Sequence, residues 1–158
     1  MNCAQYWVYN SKYPELQHIT LPVDTCILDG ELICFDQDSN PPKPCFGSLT
    51  TRFQTSKIDK IQALTKILPV SLSAFDIIFL NGKSLIGETL SDRLDKLRSI
   101  VTNDPFISLC PTFTDGESLF ENVVNLGLEG IVSKKLSSKY QLNSRPQNVW
   151  YKTLALHK

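Results

Sequence analysis

The run at residues 70–80, Val-Ser-Leu-Ser-Ala-Phe-Asp-Ile-Ile-Phe-Leu, most constrains this chain. It is apolar and β-rich, and Asn81-Gly82 follows as a turn signal. It therefore predicts a strand covered on at least one face. It also contains a single charge, Asp76, next to Phe75. A carboxylate within such a strand is costly to desolvate unless it is paired or bonded. The plain explanation is an acid satisfied by a nearby loop; the alternative is a site.

A second strand at 26–35 has the same character, with Asp29-Gly30-Glu31 set between aliphatic residues. Either both acids lie in water at an edge or bulge, or they hold a cation. Gly30 lets something approach the backbone closely. Residues 57–68 space Ile58, Ile61, Leu64, Ile67 and Leu68 as an amphipathic helix. Thr89 or Ser91 caps a helix with Leu90, Leu94, Leu97 and Val101 on one face. Asp115-Gly116-Glu117 opens another helix, which Gly127 ends. Strands are expected at 3–9, 106–113, 130–133 and 149–156, with one or two helical turns at 46–53. Strands outnumber helices, and two strand pairs have no helix between them. The expected class is α+β with a largely antiparallel sheet.

The 158 residues make one domain's worth of chain, with 42% hydrophobic residues and no apolar run long enough to span a membrane. The start, Met1-Asn2-Cys3-Ala4-Gln5-Tyr6, has no basic or apolar leader region, so the expected location is cytoplasmic. The five cysteines form no C-x-x-C pair, so reduced thiols are expected rather than a zinc site. Cys26 and Cys34 read as small core residues. Net charge is zero, yet Lys134, Lys135, Lys139, Arg145, Lys152 and Lys158 face only Glu129 over residues 129–158. That excess suits an anionic partner, or simply a solvated lysine-rich end.

The block Glu129-Gly130-Ile131-Val132-Ser133-Lys134-Lys135 alternates: Glu129, Ile131, Ser133 and Lys135 on one face, Gly130, Val132 and Lys134 on the other. In Trp150-Tyr151-Lys152, Lys152 shares a face with Trp150 and Leu154. Asp29, Glu31 and Glu129 could hold a hard cation, Lys134 and Lys152 could neutralise phosphate oxygens, and Phe75 could stack on a base. This is equipment for nucleotidyl or phosphoryl transfer. No Gly-rich phosphate loop is present, and with two histidines a hydrolase triad would rest on His18.

In order, Leu28-Asp29-Gly30-Glu31, Phe46-x-x-Leu49-x-x-Arg52, Ala74-Phe75-Asp76-Ile77-Ile78-Phe79-Leu80-Asn81-Gly82, Glu129-Gly130-Ile131-Val132-Ser133-Lys134 and Trp150-Tyr151-Lys152 resemble the ATP-dependent DNA ligases. Leu90-Ser91-Asp92-Arg93-Leu94 fits as well, and Lys135-Leu136-x-Ser138-x-Tyr140 looks most like bacterial end-joining ligases. RNA ligases and capping enzymes share the skeleton. The resemblance implies an adenylation (nucleotidyltransferase) domain of two antiparallel sheets flanked by helices. It implies that Glu31 contacts the ribose or a metal-bound water and that Phe75 stacks on adenine. Glu129 binds the metal, Lys134 and Lys152 touch the α-phosphate, and Arg52 orients the nucleotide or nick phosphate. The implied cofactors are ATP (as AMP) and Mg²⁺ or Mn²⁺. The implied substrate is nicked or broken double-stranded DNA, in repair and recombination, with an upstream ligase piece or end-joining proteins as partners.

Three departures bear on competence. The family's Lys-x-Asp-Gly-x-Arg nucleophile block is absent from these residues, so 1–158 reads as a partial adenylation domain without the catalytic lysine, and self-adenylation is not expected. Leu154 stands where the family has a second lysine, and no OB-fold domain follows within the sequence. The competing expectation is a non-catalytic nucleic-acid-binding or interaction fragment.

Overall fold

The computed structural model describes residues 11–36, 43–102, 104–142 and 148–155. The strand expected at 3–9 lies outside them, as do Cys3, Arg145, His157 and Lys158. A short 3-10 helix, Pro14–His18, comes first; it was not anticipated, although Pro14 at its start is a helix-opening residue. Then follow β1 (Cys26–Asp36), β2 (Lys43–Pro44), α1 (Phe46–Gln54), α2 (Ile58–Ile67), β3 (Val70–Leu80), β4 (Lys83–Ser84), α3 (Leu90–Ile100), β5 (Ile107–Leu109), α4 (Gly116–Asn125), β6 (Gly130–Lys134) and β7 (Trp150–Leu154).

One sheet has the order β2-β1-β3-β4, with β5 also on β3; β6 and β7 make a second, two-stranded sheet. The fold is α+β, as expected. The sheets are largely antiparallel, as expected; β5 is the exception and runs parallel to β3, with Leu72 opposite Ile107 and Ala74 opposite Leu109. The physical reason is the connection: α3 intervenes, and a crossover through a helix returns the chain in the same direction.

Local chemistry explains the joints. Asn81 and Gly82 both have positive φ (45° and 82°), the backbone of a tight hairpin between β3 and β4. The Asn81 side chain accepts from the amides of Asp24 and Thr25 at 3.0 and 3.3 Å, which fixes the approach to β1. Thr89, not Ser91, caps α3: its hydroxyl accepts from the Asp92 amide at 3.2 Å and donates to the Asp92 carboxylate at 2.5 Å. Asp115 caps α4 by accepting from the Ser118 amide at 3.1 Å. Gly127, at φ 68°, ends that helix, with Leu128 N–H reaching back to Val123 C=O at 2.9 Å.

The chain forms two compact units, the boundary passing through β1 after Asp29 and through β3 after Phe75. The first comprises Met1–Pro22, Gly30–Phe75 and Ile100–Leu109. Its core holds Tyr13, Cys34 and Val70, with Leu16, Leu32, Leu49 and Leu68 packed against them. Of the apolar positions on α2 only Ile61 is buried, while Ile58 and Ile67 are exposed. The close approach at Gly30 is made by the neighbouring strand. A Cβ there would fall 2.7 Å from Leu72 Cδ1 and 2.8 Å from the Ser73 carbonyl. The second unit comprises Val23–Asp29, Asp76–Ser99 and Cys110–Lys158. It buries Ile77, Leu85, Leu90, Leu94, Leu97 and Val123, and with them Asp76, Arg93 and Ser138.

Candidate functional site

In the second unit, β6 and β7 pair antiparallel, Val132 opposite Lys152 and Lys134 opposite Trp150. Opposed residues share a face, so Lys134, Val132, Lys152, Trp150 and Leu154 line one side of the ribbon. The Lys134 ammonium lies 3.8 Å from the centroid of the Trp150 ring. Lys152 Nζ donates to Glu129 Oε1 at 2.6 Å, both groups exposed. Glu129 therefore reaches the lysine face although simple alternation places it opposite. The long lysine stem spans the offset. Leu154, at the position of the family's second lysine, keeps that face with 50% of its surface exposed.

Gly130 makes this pairing possible. Its φ is 154°, and a Cβ there would collide with the Thr153 carbonyl and come within 2.9 Å of Leu154 Cα. Any side chain at Gly130 parts the two strands that carry the lysines.

The same unit holds a polar network whose acids act on Lys134. The Tyr140 hydroxyl donates to Asp29 Oδ2 at 2.8 Å. The Arg93 guanidinium stacks 5.6 Å from the Tyr140 ring centroid and donates to both Asp76 oxygens, at 2.7 and 2.8 Å. Burial pushes the Lys134 ammonium below the ordinary lysine range, and the carboxylates of Asp76 and Asp29 oppose that push. Asp29 is thus committed to Tyr140 and Asp76 to Arg93. Tyr140 was visible in the sequence only as one word of the Ser138-x-Tyr140 tail. Its position as the partner of an acid 111 residues away is tertiary information.

Tyr140 gives a pH prediction. Burial, reinforced by the hydrogen bond to Asp29, pushes its phenol up to about 12. The unfolded phenol titrates near 10. A raised folded value means the network's contribution is complete below about pH 10 and is lost as pH rises through about 12. Ultraviolet titration of the folded chain should show one of the five tyrosines ionising late. Tyr140→Phe should remove that component; its persistence in the variant would contradict the assignment.

The other three residues singled out for the site belong to the first unit. Glu31 is exposed on β1 and Phe75 is half-buried on β3. Arg52 lies in the interior of that unit. It is 1% exposed, and its donors are taken by Glu15 at 2.6 and 3.0 Å, by the Leu68 carbonyl at 2.6 Å and by the Lys12 carbonyl at 3.1 Å. A buried guanidinium with those partners ties α1 to Glu15, Lys12 and Leu68. Elsewhere in that unit a cavity of about 680 Å³ is lined by residues including His18, Asp59, Lys66 and Phe106, and by none of the six predicted site residues.

Glu129 is an exposed oxygen donor suited to a hard divalent cation, which commonly binds through one or two carboxylates and completes its shell with phosphate oxygens and water. Among the described residues no group of three or more His, Cys, Asp or Glu side chains could hold a metal unaided. No helix among the described residues is long and apolar enough to cross a membrane.

Residues 6–153 match the ATP dependent DNA ligase domain family. The DNA ligase of Nitrosopumilus maritimus is 32% identical over 151 residues, a match covering 90% of this chain and 25% of that protein. The SPbeta prophage-derived DNA ligase-like protein LigB of Bacillus subtilis is 30% identical, covering 91% of this chain and 49% of that protein. The chain thus spans between a quarter and a half of these relatives. Among solved structures, the ligase domain of M. tuberculosis LigD aligns with a TM-score of 0.57 at 24% identity, over 80% of this chain and 36% of that one. A mycobacterial DNA ligase D complexed with ATP and MES aligns at 0.53. These two likenesses concern the fold, which is that of the ligase nucleotidyltransferase domain. The ordered motif blocks were the first sign of kinship, and a family match running through nearly every residue settles it: this chain belongs to the ATP-dependent DNA ligase family.

Proposed function

We propose that the chain supplies the nucleotide- and phosphate-binding part of an ATP-dependent DNA-joining reaction in DNA repair. In that reaction an amine attacks the α-phosphorus of ATP, releasing pyrophosphate. The AMP then passes to a 5′-phosphate of nicked or broken duplex DNA, and a 3′-hydroxyl displaces it to close the phosphodiester. The observation that supports this most is the β6–β7 register, with Lys134 and Lys152 on one face and Glu129 bonded to Lys152. Two lysines on one ribbon face can neutralise the α-phosphate as charge builds on its oxygens. A divalent metal on Glu129, Mg²⁺ or Mn²⁺, would offset the remaining phosphate charge. Phe75 takes the adenine ring and Glu31 the ribose, on the strength of the family motif each occupies. Arg52 acts by holding α1.

Thermal denaturation with ATP and Mg²⁺ tests this. At about a hundredfold excess over Kd, ATP should stabilise the folded chain by about 2.7 kcal/mol. Phe75→Ala and Lys152→Ala should each abolish most of that gain. A polypeptide of these 158 residues holds no Lys-x-Asp-Gly block, so labelled ATP should bind without a covalent adduct. No shift at millimolar ATP, or one unchanged in both variants, would remove the proposal. Lys135 and Lys139 are exposed beside the ribbon. Salt-dependent DNA binding that ignores ATP would instead favour a non-catalytic nucleic-acid-binding role.

A further inference from the structure

The antiparallel pairing of β1 with β2 sets Phe35 opposite Pro44 and Asp36 opposite Lys43. One step further along this ladder Cys34 meets Cys45. The Cys45 N–H donates to the Cys34 carbonyl at 2.7 Å, and the Cys45 backbone is still extended. Directly opposed, hydrogen-bonded residues have Cα atoms about 5.5 Å apart, within the roughly 4.4–6.8 Å that a disulfide spans. Their side chains share a face. The sulfurs also share a neighbour: Ser48 Oγ donates to Cys45 Sγ at 3.2 Å, and Ser48 also lowers the Cys34 thiol against the push of burial.

We propose that Cys34 and Cys45 form a dithiol site that low-molecular-weight disulfides oxidise to an intramolecular disulfide. The two sulfurs have different roles. Cys45 is half-buried and can be reached from solvent, whereas Cys34 is 1% exposed. Burial pushes the Cys34 thiol up, with the Arg52 guanidinium acting in the opposite sense. Cys45 therefore reacts first. Its thiolate attacks one sulfur of the oxidant, forming a mixed disulfide and expelling one thiolate. Cys34 then gives up its proton and attacks Cys45 Sγ, expelling the second thiolate. The chain loses two hydrogens and two electrons, and the oxidant becomes two thiols. The bond ties the first turn of α1 to β1, and α1 also carries the Arg52 that holds Glu15. Of the other described cysteines, Cys26 lies at the far end of β1 and Cys110 donates to a neighbouring carbonyl, that of Pro111.

The test treats the intact chain with oxidised glutathione, blocks remaining thiols by alkylation, and digests without reduction. Cleavage before Asp36 and Asp38 separates the two cysteines, so a disulfide shows as a linked peptide pair. The expected result is a Cys34–Cys45 link, a mass loss of about 2 Da and reversal by dithiothreitol. Cys45→Ser and Cys34→Ser should each prevent it, and Cys26→Ser should not. Three results would overturn the proposal: all five cysteines still alkylated, a glutathione retained on Cys45, or a link through another cysteine. The mapping on the unaltered chain decides the matter even if a variant fails to fold.

Discussion

Arg93→Met should destabilise the second unit by about 3–5 kcal/mol, the usual result of removing one partner of a buried ion pair. Arg93 and Asp76 are both fully buried, and the guanidinium meets the carboxylate through two charge-assisted hydrogen bonds of 2.7 and 2.8 Å. The same guanidinium serves the Glu88 carbonyl at 2.7 Å and the Ser138 carbonyl at 3.4 Å. Methionine fills much of the space, but among the described hydrogen bonds to the Asp76 carboxylate it leaves the one from the Ile77 amide at 2.8 Å. Two carbonyls also lose a donor. The expected urea transition moves to lower concentration, and amide exchange accelerates in α3. Asp76→Leu added to Arg93→Met should recover most of the loss, because an apolar pair replaces a charge left without its partner. A cost for Arg93→Met below about 1 kcal/mol would show that the pair does not hold the unit.

Glu15→Leu should cost the first unit a comparable amount, about 3–5 kcal/mol. Glu15 is 2% exposed and accepts from Arg52 through both oxygens, and one of them also accepts from the Val70 amide at 3.1 Å. Removing the carboxylate strands a guanidinium in the core and leaves the first amide of β3 without its acceptor. Arginine has no accessible neutral form with which to escape the cost. Exchange should quicken in α1 and at the start of β3. Glu15→Asp, too short to keep both contacts, should fall in between. If Glu15→Leu leaves the transition in place, Arg52 has another anchor, and its reading as a structural residue fails.

These two pairs show how far the sequence could be read. Asp76 stood out as one acid in an apolar strand, and a satisfied acid was the plain explanation. That explanation holds, but the partner is a helix residue 17 positions away rather than a loop. Arg52 stood out because it fills a family motif, and the motif suggested a phosphate. Only the tertiary structure shows that both of its terminal nitrogens are engaged by Glu15, Leu68 and Lys12 inside the core. Gly30 announced a close approach without naming its source, which is the β3 backbone. A sequence records the cost of a buried charge or a missing side chain, but not the group that meets it.

The elements themselves follow from local rules that need no tertiary partner. A period of two, a period near 3.6, Asn81-Gly82, Asp115 and Gly127 determine strands, helices, turn and caps, because each acts within a few residues of itself. The family too was legible, since five short words in order are rarely coincidental. The parallel course of β5 was settled only by folding, as were the meeting of Tyr140 with Asp29, the side of the ribbon that Glu129 reaches and the opposition of Cys34 and Cys45. Each depends on which distant strands share a ladder and on how far a side chain can stretch. Those distances come into being only when the chain packs.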